Sequence, residues 1–171
     1  MDIDFKIFPN VVIGINPIIE DQCILGMACK PIPLNKETKI GKNALIRAGT
    51  YIYENNLIGD HFTTGNRAII RESNVIGNNV SIGSMTSLAH NVKIEDDVRI
   101  HSQCFIPEFS VIKKGAWIGP GVFFTNSKYP NQTNSKKLLK GPIIEEEVII
   151  GANVTILPNV TIGSNSTIGA G

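Results

Sequence analysis

Residues 76–112 read IGNNVSIGSMTSLAHNVKIEDDVRIHSQCFIPEFSVI, and in this stretch an isoleucine or leucine returns at every sixth position. The same spacing continues outward, without a slip, from Ile40 to Phe124. Only Thr64 among its fifteen positions is not apolar. Glycine often follows the apolar residue, and asparagine or aspartate commonly comes next or one position later. The chain therefore repeats a six-residue unit over 85 residues.

A period of six excludes an amphipathic helix, because at roughly 100° per residue the apolar positions would fall on separate faces. In a strand every second residue points to the same side. The position two before each apolar residue is mostly small or apolar, as at Ala68, Val80 and Thr86, so both positions are predicted to point inward. Glycine and asparagine tolerate positive φ and recur through the repeats. The chain is therefore predicted to bend every six residues.

This pattern resembles the hexapeptide-repeat acyltransferases. The resemblance implies an all-β fold, a left-handed parallel β-helix with a triangular section and about 18 residues per coil. Coils stack about 4.8 Å apart, so residues eighteen apart become neighbours. The spacing reappears from Ile13 to Leu25 and from Ile144 to Ile168. We predict one domain over residues 1–171, with excursions at 27–39 and, as an extended loop, at 125–143.

The composition narrows the setting. With 171 residues, 42% of them apolar, the chain can bury a core, and a net charge of +1 favours neither nucleic acid nor a membrane surface. We find no secretion signal and no apolar run long enough to span a bilayer, so a cytoplasmic location is expected. The cysteines Cys23, Cys29 and Cys104 lack metal-site spacing, and a buried reduced thiol is expected at Cys104.

Asn56 and Asn74 lie eighteen residues apart at inward positions. A buried polar group must be paired. We therefore expect these amides to stack on each other inside the β-helix, each satisfying its neighbour, in a structural and not a catalytic role.

Four polar residues, Glu72, His90, Glu108 and Asn126, follow one another at intervals of eighteen, which predicts a column along one outer edge. A carboxylate one coil from His90 can hold one ring nitrogen and leave the other to accept a proton, as in a general base. The alternative is an exposed charge ladder that contributes about 0–1 kcal/mol per pair.

The other two histidines occupy different columns. His61 follows Asp60 on a turn, where a solvated role is expected. His101 stands where glycine is usual, between Gly83 and Gly119 in the stack, so packing is expected, with a groove or subunit contact as the alternative. A zinc site of the kind found in the γ-class carbonic anhydrases needs three converging imidazoles. The histidine spacing does not fit one, and no metal is expected.

A more specific resemblance rests on FFTNSKYP at residues 123–130 and IGANVTILPNVTIG at residues 150–163. These stretches are similar to acetyltransferases that modify sugars, particularly amino sugars carried on nucleotides. The resemblance implies a homotrimer with acyl-CoA in the groove between two β-helices. Outward apolar residues such as Tyr51, Trp117 and Phe123 agree with such an assembly.

From this resemblance we predict acetyl transfer from acetyl-CoA to the amino group of a nucleotide-linked sugar. His90 takes the proton and Glu108 steadies the imidazole. The remaining predicted site residues are Glu72, Asn126 and His101 for the acceptor, and Gly119, Gly121, Gly151, Ala152 and Lys140 for the cofactor. A solvated loop is the alternative explanation of the lysine. O-acetylation of a sugar or amino acid hydroxyl, and a non-catalytic β-helix scaffold or binding protein, remain alternative functions.

Overall fold

The computed structural model describes residues 4–29 and 36–171, and over these ranges the chain forms short strands and one turn of 3₁₀ helix, Ser135–Leu138. The strands fall into three parallel sheets of eight. The first sheet contains β1 (Lys6–Ile7), β4 (Ile24–Met27), β7 (Tyr51–Tyr53), β10 (Ile69–Ile70), β13 (Ser87–Leu88), β16 (Phe105–Ile106), β19 (Phe123–Phe124) and β22 (Thr155–Ile156). The second contains β2 (Val11–Ile13), β5 (Thr38–Ile40), β8 (Leu57–Ile58), β11 (Val75–Ile76), β14 (Lys93–Ile94), β17 (Val111–Ile112), β20 (Ile143–Ile144) and β23 (Thr161–Ile162). The third contains β3 (Ile18–Ile19), β6 (Leu45–Ile46), β9 (Thr63–Thr64), β12 (Ser81–Ile82), β15 (Arg99–Ile100), β18 (Trp117–Ile118), β21 (Ile149–Ile150) and β24 (Thr167–Ile168).

Successive strands of the chain visit the three sheets in turn, so each coil contributes one strand to every sheet. Paired residues in neighbouring coils are eighteen apart, as in Ile70 with Leu88 and Ile82 with Ile100. The predicted all-β left-handed parallel β-helix is confirmed. We call the bend from the first sheet to the second the first edge, that from the second to the third the second edge, and that from the third back to the first the third edge.

The core is the inward side of the six-residue repeat. All fifteen positions from Ile40 to Phe124 are buried, and none is more than 5% exposed. The position two residues earlier is buried as well, as at Ala68, Val80 and Thr86. Each fully buried isoleucine contributes about 1.5–3 kcal/mol relative to an exposed one. Stacking of the repeats therefore forms a continuous apolar core.

Bends between strands contain residues with positive φ, many of them asparagines such as Asn79 (φ 54°) and Asn91 (φ 56°). Side chains on the second edge also link the coils. The backbone N–H of Asp60 donates to Asn78 Oδ1 at 2.9 Å, and that of Asn78 donates to Asp96 Oδ1 at 2.6 Å. These bonds satisfy donors that the turn leaves outside the sheets.

The inward asparagines are paired differently from the prediction. Oδ1 of Asn56 accepts from the backbone N–H of Asn74 at 2.9 Å, and Oδ1 of Asn74 accepts from that of Val92 at 2.7 Å. Their side-chain N–H groups donate to the carbonyls of Tyr53 and Arg71 at 2.8 and 2.7 Å. The expected amide-on-amide stack is wrong, because each short side chain reaches the backbone of its own turn and of the next coil.

Two insertions widen the spacing between paired strands. The offset is 27 residues between Val11 and Thr38 and 32 between Val111 and Ile143, in place of eighteen. Of the predicted excursion at 27–39, Met27 already belongs to β4 and Thr38 to β5, while residues 30–35 lie outside the described residues. The second insertion includes the 3₁₀ turn.

The structure also bears on the predictions made for Cys104 and for membrane-spanning segments. Cys104 is buried, as predicted, and its thiol donates to the carbonyl of Gly119 at 3.2 Å. Over residues 4–29 and 36–171, no helix has the length and apolar character needed to cross a membrane.

Candidate active site on the first edge

The predicted polar column lies on the first edge, where the chain leaves the first sheet. Glu72, His90, Glu108 and Asn126 each follow a strand of that sheet by two residues. Because those strands are stacked in register, the four residues occupy equivalent positions in four successive coils. The repeat alone places them together.

Glu108 is contacted from both sides. Its Oε1 lies 3.5 Å from Nδ1 of His90 in the coil before it. Its Oε2 accepts a hydrogen bond of 2.7 Å from Nδ2 of Asn126 in the coil after it, and the same amide lies 3.3 Å from the Glu108 carbonyl. Asn126 therefore holds the carboxylate of Glu108. The sequence predicted that Asn126 binds the acceptor.

The position of Glu108 determines which nitrogen of the His90 imidazole can act as a base. Nδ1 faces the carboxylate, so a neutral His90 that carries its proton on Nδ1 has a lone pair on Nε2 with which to accept a proton. The side chains of His90 and Glu108 are 35% and 26% exposed. The separation of 3.5 Å is longer than a strong hydrogen bond, and such contacts often tighten when substrate binds.

Glu72, one coil before His90, is 6% exposed and forms a bidentate ion pair with Arg71. Nε donates to Oε2 at 2.9 Å and Nη2 to Oε1 at 3.2 Å, while the guanidinium lies 5.2 Å from the ring of Tyr53. Burial raises the pKa of Glu72, but the Arg71 hydrogen bonds and charge, helped by His90, lower it overall. Both oxygens of Glu72 thus face Arg71, and the contact of Glu72 with an acceptor stays a prediction.

The column continues below Glu72 into residues that sequence reasoning missed. Glu54, eighteen residues earlier, is 1% exposed, and its Oε1 accepts from the backbone N–H of Cys29 at 3.3 Å and from its thiol at 3.5 Å. Burial raises the pKa of Cys29, and the carboxylates of Glu72 and Glu54 raise it further. Within the described ranges, no three His, Cys, Asp or Glu side chains are grouped to hold a metal. The interval of eighteen was the signal that could have found Glu54.

A second missed residue is Phe109, which follows Glu108. Its ring lies edge-to-face with the His90 imidazole, 6.3 Å between centroids and 73° between planes. Phe109 stands at the bend position that recurs every six residues, and this position carries side chains as different as those of Asn91 and Met85, so the repeat does not single it out.

A pocket of about 450 Å³ opens beside Asn126, between the second insertion and the last coils. Apolar side chains, including Leu138, Leu157 and Val160, line it together with Lys128 and Lys140. The backbone N–H of Lys140 donates to the carbonyl of Asn126 at 2.9 Å. Lys140, predicted for cofactor binding, is thus hydrogen-bonded through its backbone to the column that contains His90. The pocket is a largely apolar cavity beside the same column.

The other predicted cofactor residues lie on the third edge and not on the first. A Cβ added to Gly119 would come within 2.7 Å of the Ile150 carbonyl and 2.8 Å of the Gly151 backbone. Gly121 has φ +67°. Ala152 follows Gly151 in the next coil. Close stacking of coils therefore accounts for the glycine at Gly119 and positive φ for that at Gly121, while cofactor binding by these residues stays a prediction.

His101 also belongs to the third edge. Its ring packs against Trp117 with centroids 4.8 Å apart. This confirms the packing expected for it and separates it from the His90 column by the width of the first sheet. Within one chain, the predicted site residues thus form two groups on two edges.

Comparisons with known proteins give the following matches. A family model described as bacterial transferase hexapeptide (six repeats) matches residues 75–108 and 141–171, and one described as hexapeptide repeat of succinyl-transferase matches residues 17–54. Together they take in more than half of the chain. No curated protein matches it.

Several solved structures are similar to the chain. An Arabidopsis UDP-N-acetylglucosamine acyltransferase shares 16% identity, with a TM-score of 0.48, over 98% of this chain and 65% of that one. LpxA from Acinetobacter baumannii shares 17%, with a TM-score of 0.45, over 95% and 69%. The UDP-N-acetylglucosamine O-acyltransferase LpxA from Moraxella catarrhalis shares 18%, with a TM-score of 0.43, over 88% and 66%. The chain thus spans about two thirds of the length of these proteins.

Proposed function

This chain belongs to the hexapeptide-repeat acyltransferase family, and from that premise we propose that it transfers an acetyl group from acetyl-CoA to the amino group of a nucleotide-linked sugar. One observation carries the proposal: His90, Glu108 and Asn126 form a continuous polar relay on an accessible edge. The structural side-chain ladder on the second edge bonds to backbone N–H groups, as Asn78 does to Asp60, whereas the first edge places the imidazole of His90 against a carboxylate.

The chemistry requires a neutral nucleophile and a group that takes its proton. The acceptor nitrogen attacks the thioester carbonyl carbon, the C–S bond breaks, and CoA leaves as the thiolate. Nε2 of His90 takes the proton that the nitrogen loses and returns it to the leaving sulfur. Glu108 stabilises the imidazolium between these steps, and Asn126 keeps Glu108 in place. A backbone N–H at a bend serves as the oxyanion donor.

The pocket beside Asn126 supports binding of a substrate arm next to this relay. Its apolar lining suits an uncharged chain or a ring, and Lys128 and Lys140 suit phosphate groups. Acetyl-CoA and a nucleotide-linked acceptor both contain such groups, so the pocket fits either substrate of the proposed reaction.

The distribution of the predicted residues over two edges favours a homotrimer. In a ring of copies related by rotation, each interface joins two different surfaces. The third edge of one copy can then face the first edge of its neighbour. Exposed apolar side chains on the first sheet, among them Ile69, Phe105 and Phe123, would be covered by that contact.

The test is an acceptor panel with acetyl-CoA, followed by release of free thiol and by the mass of the product. The panel contains nucleotide-linked amino sugars, the corresponding hydroxyl sugars and serine. Thiol release with amino sugars alone is expected. Turnover with hydroxyl sugars alone makes the protein an O-acetyltransferase, and turnover with serine alone removes the sugar from the proposal.

A control separates catalysis from simple binding. Stabilisation by CoA in a thermal melt, without turnover of any acceptor, would indicate a binding protein or scaffold. Absence of both stabilisation and turnover would contradict the proposed function as a whole.

A further inference from the structure

Phe109 has a backbone conformation that L-residues with bulky side chains rarely adopt, with φ 66°. Equivalent positions in other coils of the first edge also have positive φ, and they carry Asn55, Ser73, Asn91 and Asn159. Asparagine tolerates this conformation because its short side chain bonds locally, whereas phenylalanine gains nothing of the kind. On the first edge the chain thus has an aromatic residue where the equivalent positions of other coils carry small polar ones, whereas on the third edge this conformation is also held by the longer side chains of Arg67, Met85 and Gln103.

Burial does not offset this strain, because Phe109 is 45% exposed. Its ring packs against the imidazole of His90, edge-to-face with 6.3 Å between centroids. Backbone strain that local packing does not explain is concentrated at functional sites. The position therefore points to a role toward something outside the β-helix.

We propose that Phe109 provides an aromatic face on which the pyranose ring of the acceptor packs beside His90. This inference rests on the proposed function and adds a determinant of acceptor recognition to it. One face of a pyranose presents C–H groups, which pack well against the negative face of an aromatic ring. Such packing fixes the plane of the sugar while leaving its amino group directed at Nε2.

The packing also explains why the ring follows Glu108 directly. The same bend supplies both the carboxylate that orients His90 and the surface that orients the sugar. The two rings meet edge-to-face, so they restrain each other before the acceptor arrives.

The central experiment compares Phe109→Asn with the wild type in a thermal melt and in steady-state kinetics. Because asparagine suits the bend, the variant is expected to melt about 2–4 °C higher. Loss of the aromatic face is expected to raise the KM for the sugar acceptor by about tenfold or more. The KM for acetyl-CoA should stay unchanged. A gain in stability together with a loss of acceptor binding is not expected from a structural residue.

Two further variants make the comparison specific. Phe109→Tyr keeps the aromatic face and should keep the acceptor KM within about twofold. His61→Asn places asparagine at another positive-φ bend, on the second edge between Asn43 and Asn79, and should leave both KM values unchanged. Size-exclusion chromatography of each variant monitors assembly.

The inference is overturned if Phe109→Asn keeps the wild-type acceptor KM, or if it melts lower than the wild type. It is also overturned if the variant changes its oligomeric state, which would assign the ring to a contact between copies. In each of these cases the wild type still transfers acetyl groups. A wild type that turns over no sugar acceptor removes the proposed function and this inference with it.

Discussion

Asn126 donates from its side-chain amide to Oε2 of Glu108 at 2.7 Å, across one step of the β-helix. The other oxygen of this carboxylate faces His90. A carboxylate held at both ends has little freedom to rotate, so the imidazole is oriented by a chain of contacts and not by one partner. The base, the group that orients it and the residue that fixes that group are thus successive members of one column.

Replacing Asn126 with alanine tests this chain of contacts. Glu108 would lose its strongest side-chain partner, and His90 would be oriented less well. We expect kcat to fall about 10- to 100-fold, since misplacement of about 1 Å can reduce a rate to that extent. The melting temperature should change little, because Asn126 is only partly buried. Unchanged kcat with a normal fold would show that Glu108 needs no support.

Replacing His90 with alanine tests the proton transfer itself. General-base assistance typically contributes about 10²–10⁴ in rate, so kcat should fall within that range. His61→Ala is the matched control, because His61 is an exposed histidine on a different edge. Full turnover by His90→Ala would remove the base from the mechanism and leave positioning as the main source of catalysis.

The sequence predicted the burial of every apolar position from Ile40 to Phe124 because a strict period determines which side of each strand faces inward. It predicted the pairing of His90 with Glu108 for the same reason, since stacking converts an interval of eighteen into contact. The sequence could not predict contacts that depend on how far and in which direction a side chain extends. Arg71 turns back onto its own neighbour Glu72, which no interval encodes.

The conformation of the inserted segments could not be predicted from the sequence either. The pocket beside Asn126 depends on how the chain between Ser127 and Lys140 lies over Leu157 and Val160. No repeat governs that path. The wrong expectation for Asn56 has a related origin, because register gives the spacing of residues but not which atoms an amide reaches.

The pair formed by Arg71 and Glu72 gives a prediction about pH. The folded pKa of Glu72 is lowered, so the unfolded chain binds its proton more readily. The stabilisation is therefore present above the unfolded value of about 4.3 and is lost as the pH falls through the folded one. In Arg71→Met the buried carboxylate has no cation, so its ionised form destabilises the fold at neutral pH.

We expect Arg71→Met to lower the free energy of unfolding by about 1–2 kcal/mol at pH 7, a value reduced for the partial exposure of the guanidinium. The difference from the wild type should shrink as the pH falls toward about 4, where Glu72 of the variant is protonated. Urea unfolding at three pH values measures it. Arg67→Met is the control for the loss of one positive charge, since Arg67 is exposed. A difference that does not depend on pH would contradict the pairing.

Substitution of a third-edge glycine tests whether that glycine is needed for packing of the coils or for binding of acetyl-CoA. A Cβ on Gly119 would lie within 3.0 Å of backbone atoms of the next coil, where no flexible side chain can yield. We expect Gly119→Ala to lower the free energy of unfolding by about 1–3 kcal/mol, the usual effect of overpacking. Gly163→Ala is the matched control, because its nearest atom is the Ser166 hydroxyl at 4.0 Å. If Gly119→Ala keeps wild-type stability and loses only its affinity for acetyl-CoA, the residue binds the cofactor, and its conflict with the next coil is relieved by a small shift.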